Sequence, residues 1–423
     1  MGVGAYAGHP RTPRPWRWPT GARICHAGGI EPSERPGPSE IRGVVRLAAD
    51  AVSLIATPLE QTHRALSGRV FDAIGPLAAP VRTVYDAVTT TNYAAVRGVA
   101  ELTGAAVSIG VRLAGRPEPR RLDRTVLGSA AVAAANGFLG TRLAASGNDL
   151  DLGMTLRHAG ADLPVRTDDL ALAYPGAGDH LVLLVPGLVE TEHAWRYRRS
   201  RSRDVPADPD YGQRLAADLG ASPLYLRYNT GLPLAANGAR LSELLEAVLV
   251  AWPTPVRRID LIGHSMGGLV LRHAAAQGTA AGLGWPALVG HVVYLGSPHT
   301  GASLARGAGR LAALLAARPA SRGWGELLEL PGSGVFDLRA GVPATVAPLP
   351  TASHHSVVAE LTRSERHVVG RVFGDLLVSR TSGRLPGGDF LRIAPAHHFD
   401  LLNHAEVYRA LLNWLSAATD NRP

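Results

Sequence analysis

The sequence predicts an α/β fold: a doubly wound, mostly parallel sheet with an N-terminal helical extension and a cap or lid insertion. Three observations predict it. His180–Val185 (HLVLLV) is a continuous apolar run bounded by Gly178 and Pro186, as a parallel strand buried on both faces should be. Other strand-like runs alternate with helical patterns, the rhythm of repeated strand–helix units. Arg258–Val270 (RIDLIGHSMGGLV) passes from a strand into a helix through Gly263-His264-Ser265-Met266-Gly267, a G-x-S-x-G turn.

Residues 1–40 are rich in Pro, Gly and Arg and lack periodicity, so they are expected to be disordered or untranslated. They hold no apolar core of signal-peptide length. Residues 41–164 are expected to form an amphipathic helical region. Ile41, Val44, Val45, Ala48, Val52 and Ile55 recur at helical spacing and stop before Pro58. Leu59–Ile74, Val81–Val88 and Val96–Ile109 continue as short segments, and Thr125–Ala145 is a fifth, rich in small residues. None is long and apolar enough to span a membrane. They are read as a helical cover, packed on the downstream domain or on each other. A lipid surface is the competing use, which arginines on the polar face would assist.

The catalytic domain is expected over 165–423. After His180–Val185, Ser222–Tyr228 reads as a strand, Leu241–Val250 as a helix, and Arg258–Ile262 and His291–Leu295 as strands. Residues 300–350 break the rhythm with helical Leu304–Ala317 and a Pro/Gly-rich remainder, an insertion read as a lid over the site. Ser356–Leu361 and Phe390–Ile393 supply the last strands, and Ala405–Leu415 an amphipathic closing helix.

Composition narrows the classes. A chain of 423 residues with 46% apolar and 18% charged residues can bury a sizeable core. The net charge is +8 and every basic residue is arginine. These arginines are scattered among acids rather than striped, so no nucleic-acid partner is expected. A mild attraction to anionic surfaces is physically reasonable. Cys25 is the single cysteine, so no internal disulfide forms. No Cys/His cluster has zinc spacing, so neither metal nor cofactor is expected. A cytoplasmic location follows, with peripheral attachment to a membrane left open.

The G-x-S-x-G turn carries chemistry. Side chains two positions either side of such a serine would collide with the backbone, so glycine is required there. The turn lifts Ser265 Oγ clear of the sheet and leaves the Met266 N–H at a helix start, where it can bind developing negative charge. A serine hydroxyl needs a base, and the base needs an acid that fixes its tautomer. With the order Ser, acid, His, two downstream stretches fit. Gly374-Asp375-Leu376-Leu377-Val378 puts an acid in a turn after a strand, and Ala396-His397-His398-Phe399-Asp400 lies between the final strand and the final helix. Asp337 and Asp400 are alternative acids, and Asp400 is read as supporting the His398 loop. His397 is the alternative base. His264, His299, His354 and His355 are read as structural.

GHSMGG, LGSPHTG, GDLLV and HHFDLLNHAEVYRALLNWL, in this strand order, resemble the bacterial lipase/esterase branch of the α/β-hydrolase superfamily, and most nearly its GPI inositol-deacylase-like hydrolases. NGFLGTRLAASGNDL is similar to a segment preceding the catalytic domain in such proteins. The resemblance covers about 125–415. It implies Ser265 as nucleophile, Asp375 as acid and His398 as base, with the N–H groups of Leu188 and Met266 holding the oxyanion. Where relatives have His-Gly before the second donor, this chain has Pro186-Gly187, and proline has no N–H. The implied activity is hydrolysis of a small-molecule acyl ester, lipid-like by analogy. An acyltransferase with the same triad, and a lipid-surface protein with a weak or inactive site, are the other readings. Trp195–Arg201 (WRYRRSR), just beyond the oxyanion loop, is read as a solvated face, with an anionic headgroup as the alternative contact.

Overall fold

The computed structural model describes residues 126–196, 209–301, 337–338, 340–360, 378 and 380–417, together with scattered helical positions between 43 and 98. The N-terminal 1–40, most of 41–125 and most of the 300–350 insertion lie outside these. So do Asp375 and residues 197–201.

Eight strands form one sheet. They are β1 (Met154–His158), β2 (Ala161–Leu163), β3 (His180–Val185), β4 (Ser222–Tyr228), β5 (Arg258–His264), β6 (Val289–Leu295), β7 (Ser353–Ala359) and β8 (Asp389–Ile393). Their spatial order is β2-β1-β4-β3-β5-β6-β7-β8. From β4 to β8 every pairing is parallel, and only β1 runs against the rest, antiparallel to both β2 and β4. This is the expected doubly wound, mostly parallel sheet. It takes in residues upstream of the expected start at 165, because β1 pairs with β4 through Met154–Tyr228 and Leu156–Leu226. β1 lacks an apolar run, since Arg157 sits in it buried, with its charge taken up by Glu192 at 3.0 Å.

β3 shows why such strands are apolar throughout. Leu181, Leu183 and Val185 enter one core and Val182 and Leu184 the other, so alternate side chains serve opposite faces. The first core is roofed by α4 (Leu234–Ala251) and α5 (Met266–Ala280), the second by α3 (Tyr211–Leu219) and α7 (Ala405–Ser416). α4 and α5 touch closely: a Cβ on Gly238 would lie 2.5 Å from His273 Cβ. Asp337, one alternative acid, accepts the Leu234 N–H at 2.8 Å at the start of α4. Asp260, the polar break in β5, is fully buried and ties strand ends together by accepting from His180 and from the His291 N–H.

Two shorter helices are α2 (Thr167–Ala173) and α6 (Arg380–Gly383). α1 (Val126–Ala145) fills the small-residue run before the sheet. Its glycines bring its backbone onto two loops at the carboxyl ends of the strands. A Cβ on Gly140 would lie 2.0 Å from Asn229 Oδ1 and 2.9 Å from Gly231 Cα, and one on Gly137 2.4 Å from Val189 Cγ1. Asn229 Nδ2 donates to Gly140 O at 2.9 Å, and Ser129 and Thr191 share a hydroxyl contact of 3.0 Å. Gly140→Ala should therefore destabilise the protein by about 1–3 kcal/mol through overpacking. The checking measurement is a denaturant midpoint, and an unchanged midpoint would mean that α1 does not hold this seat in solution.

Candidate active site

β5 ends in the sharp turn. Ser265 has φ 51° and ψ −121°, a conformation that costs a non-glycine residue on the order of 1–3 kcal/mol. Its neighbours make it possible. A Cβ on Gly263 would meet Gly268 N at 2.5 Å, and one on Gly267 would meet Val185 O at 2.4 Å. Only hydrogen fits at either place. The Ser265 N–H is held by Leu295 O at 2.8 Å, which ties the elbow to the end of β6. Met266 opens α5, and its N–H lies in the first turn, where no helical carbonyl precedes it.

The loop after β3 arches over this turn. Gly187 lies so close that a Cβ there would sit 3.0 Å from Ser265 Cβ. Three of its polar groups are spoken for: Pro186 O accepts from Tyr228 OH at 2.9 Å, Gly187 N–H donates to Glu190 Oε2 at 2.6 Å, and Val189 N–H to Thr230 Oγ1 at 3.2 Å. The Leu188 N–H meets no acceptor among the described residues. Val189 also has a positive φ, 57°, and its side chain seats in the notch that Gly137 leaves in α1. Tyr228 is fully buried. Burial and the nearby Glu190 charge push its phenol well above the usual range, so it stays a neutral donor.

The loop that carries His398 arrives from β8. His398 opens a short 3-10 turn and is buried. Gly296, at φ 63° directly after Leu295, leaves room for its imidazole: a Cβ there would sit 2.9 Å from His398 Cε1. The β6 exit thus meets both the Ser265 backbone and the His398 ring. The alternative base, His397, is far more open, with 43% of its side chain exposed, and its N–H is held by Asp400 Oδ2 at 3.0 Å. Asp400 therefore closes the turn that carries His398. At the carboxyl end of β7, Glu360 is buried and accepts from Arg392 Nε at 2.7 Å. Asp375 follows in the same connection, outside the described residues.

Sequence reasoning leaves Glu190 unnoticed, and it is central here. Its carboxylate takes Gly187 N–H and, at 2.9 Å, Nδ1 of the fully buried His264. The His264 ring lies 4.7 Å from that of His398, with Nε2 3.3 Å from His398 O. An acid three residues beyond a glycine is the only signal in the sequence, and it does not name its partner.

The remaining histidines have partners away from Ser265. His299 packs edge-on to Tyr294, takes Arg272 Nη1 at 3.4 Å, and is lowered to about 3, first by burial and then by the Arg272 charge. His354 stacks on Tyr294 and bonds Leu349 O at 2.8 Å. His355 joins His291 to Asp389, at 2.9 Å from each, and stacks on Trp414; burial lowers it to about 4. Trp195, the start of the basic aromatic stretch, is fully buried against Tyr211 and belongs to the core. Among the described residues no group of three or more His, Cys, Asp or Glu is arranged to hold a metal ion, and no helix is long and apolar enough to cross a membrane.

Residues 179–314 match the family model described as PGAP1-like alpha/beta domain. No curated protein matches the chain. Several solved structures are similar at low identity. The Bacillus licheniformis lipase BlEst2 in its propeptide form is 19% identical over 58% of this chain and 52% of its own, with a TM-score of 0.40. The chain thus spans about half the length of that lipase. The Pyrococcus furiosus esterase Pf2001 is 14% identical over 57% of this chain and 82% of its own, at TM-score 0.35. The metagenomic carboxyl esterase MGS0156 is 17% identical over 73% and 97%, at 0.34.

The buried histidines set an acid limit. The unfolded chain protonates them near 6.5, whereas in the fold His355 waits until about 4 and His299 until about 3. The unfolded state binds more protons in that window, so stability is lost as pH falls through it. The melting temperature should drop from pH 6.5 towards 4, and His355→Gln should flatten that slope. An identical slope in the variant would remove His355 as a cause.

Proposed function

We propose that this chain is a serine hydrolase of small-molecule carboxylic esters, working through an acyl-enzyme. The observation that supports this most is the strained serine at the end of β5. A positive-φ residue held by two obligatory glycines has little structural purpose, and strain of this kind collects at functional sites. The Ser265 Oγ attacks the acyl carbonyl as His398 takes its proton. Asp375, by the family resemblance, balances the resulting imidazolium. The tetrahedral oxyanion lies between the N–H groups of Leu188 and Met266, which strengthen their hold as charge develops. His398 then protonates the leaving alcohol. Water, deprotonated by His398, releases the acid and restores Ser265.

The lipid-like character of the ester rests on Phe399. It is 40% exposed, with its ring edge-on to His398 at 5.7 Å. An apolar acyl chain or leaving group leaving the reacting carbonyl on that side would cover it, with about 25 cal/mol gained per Å² of apolar surface removed from water.

The test is hydrolysis of p-nitrophenyl esters of increasing chain length. Ser265→Ala and His398→Ala should each lose about 10⁴- to 10⁶-fold in kcat, and His397→Ala should retain most activity. Longer chains should be preferred, and Phe399→Ser should weaken that preference. Hydrolysis that survives Ser265→Ala would overturn the mechanism. Loss in His397→Ala with retention in His398→Ala would reassign the base.

A further inference from the structure

Glu190 presents an electrostatic problem. It is buried, 8% exposed, and its carboxylate lies one hydrogen bond from Gly187, the residue whose Cα packs on Ser265. A negative charge so close to the place where an oxyanion forms would oppose the reaction. Two donors offset it. Gly187 N–H and His264 Nδ1 both approach Oε2, at 2.6 and 2.9 Å. The arrangement also acts mechanically. Holding the Gly187 N–H fixes the loop immediately before Leu188, whose own N–H meets no acceptor among the described residues. His264 is the residue before the nucleophile, and it reaches the base loop through its ring contact with His398 and its approach to the His398 carbonyl. One carboxylate and one imidazole thereby join the oxyanion loop, the elbow and the base loop.

We propose that Glu190 and His264 form a positioning pair that sets the oxyanion loop and the base loop against Ser265, His264 at the same time bonding from Nδ1 to the carboxylate beside the hole. The pair touches no reacting atom, and the inference rests on the serine-hydrolase reading above. Its signature is a loss confined to the transition state. Glu190→Ala frees Gly187 N–H and lets the loop shift, so kcat should fall on the order of 10²-fold while KM changes less than about threefold. Affinity for an ester-mimicking trifluoromethyl ketone, which becomes a charged tetrahedral adduct on Ser265, should fall in parallel with kcat.

His264→Asn leaves the carboxylate without its imidazole, and should be worse than Glu190→Ala. Adding Glu190→Gln to His264→Asn should then restore part of the lost kcat, a non-additive result. All rates are to be normalised to sites titrated with a fluorophosphonate, so that misfolded protein does not count. A brace of purely structural kind would lower the melting temperature and leave the per-site kcat and the ketone affinity at wild-type values. That outcome, or strictly additive losses in the double variant, overturns the pair. If Glu190→Ala does not fold, the Glu190→Gln single variant serves in its place, with a smaller kcat loss expected because its amide oxygen still accepts from Gly187. Ser265→Ala separates the two failures. Hydrolysis independent of Ser265 removes the serine reading and this inference with it, whereas Ser265-dependent hydrolysis with unchanged Glu190 variants removes the inference alone.

Discussion

The backbone at Ser265 is the constraint around which the molecule is arranged. A positive φ on a residue with a side chain is unfavourable by itself, and it persists because every neighbour holds it. Strand β5 fixes one side, helix α5 the other, and the Leu295 carbonyl takes the amide between them. The strand neighbours lie within backbone contact: Val185 O fills the space where Gly267 would carry a Cβ. The central strands must therefore be tightly registered and wholly apolar, because any slip between β3 and β5 would collide with the elbow. The two cores on either face of the sheet supply that rigidity.

Around the elbow, glycine is used for proximity. Gly187 lets one loop rest on the serine, Gly296 lets the imidazole rest on the strand exit, and Gly137 lets helix α1 seat the loop after β3. Each missing side chain replaces a gap of several ångströms by direct contact. Polar contacts then fix orientation: Tyr228 holds the Pro186 carbonyl, so a loop that opens on a residue without an N–H is still braced.

Legibility in the sequence follows the range of the interaction. The apolar strands β3 to β8 and the strand–turn–helix at Ser265 are readable because their signals are local: period, glycine spacing and run length. The antiparallel β1 is not, because its buried Arg157 draws on Glu192, far along the chain, as well as on nearby Asp162. Helix α4 begins at Leu234, earlier than its apolar period at Leu241, because Asn237 and Gly238 are buried by contacts to Asn229 and His273 rather than by hydrophobicity. In the candidate site the G-x-S-x-G turn at Ser265 is a local pattern. The neighbouring His397 and His398 are chemically alike in sequence, and only the 3-10 turn gives them different surroundings. Glu190 is invisible for the same reason as Arg157, since its partner lies 74 residues away.

That distance has a consequence for how the protein comes into being. His264 and His398 are separated by 134 residues, roughly 7–27 s of ribosomal synthesis at about 5–20 residues per second. During that interval Ser265 exists without the loop that carries His398 and without the last strands and closing helix that support it. The nascent chain therefore carries an unarmed serine. If Ser265 works through His398 as proposed, reactivity switches on only when the C-terminal segment docks, so a chain released early is chemically silent rather than an unregulated nucleophile.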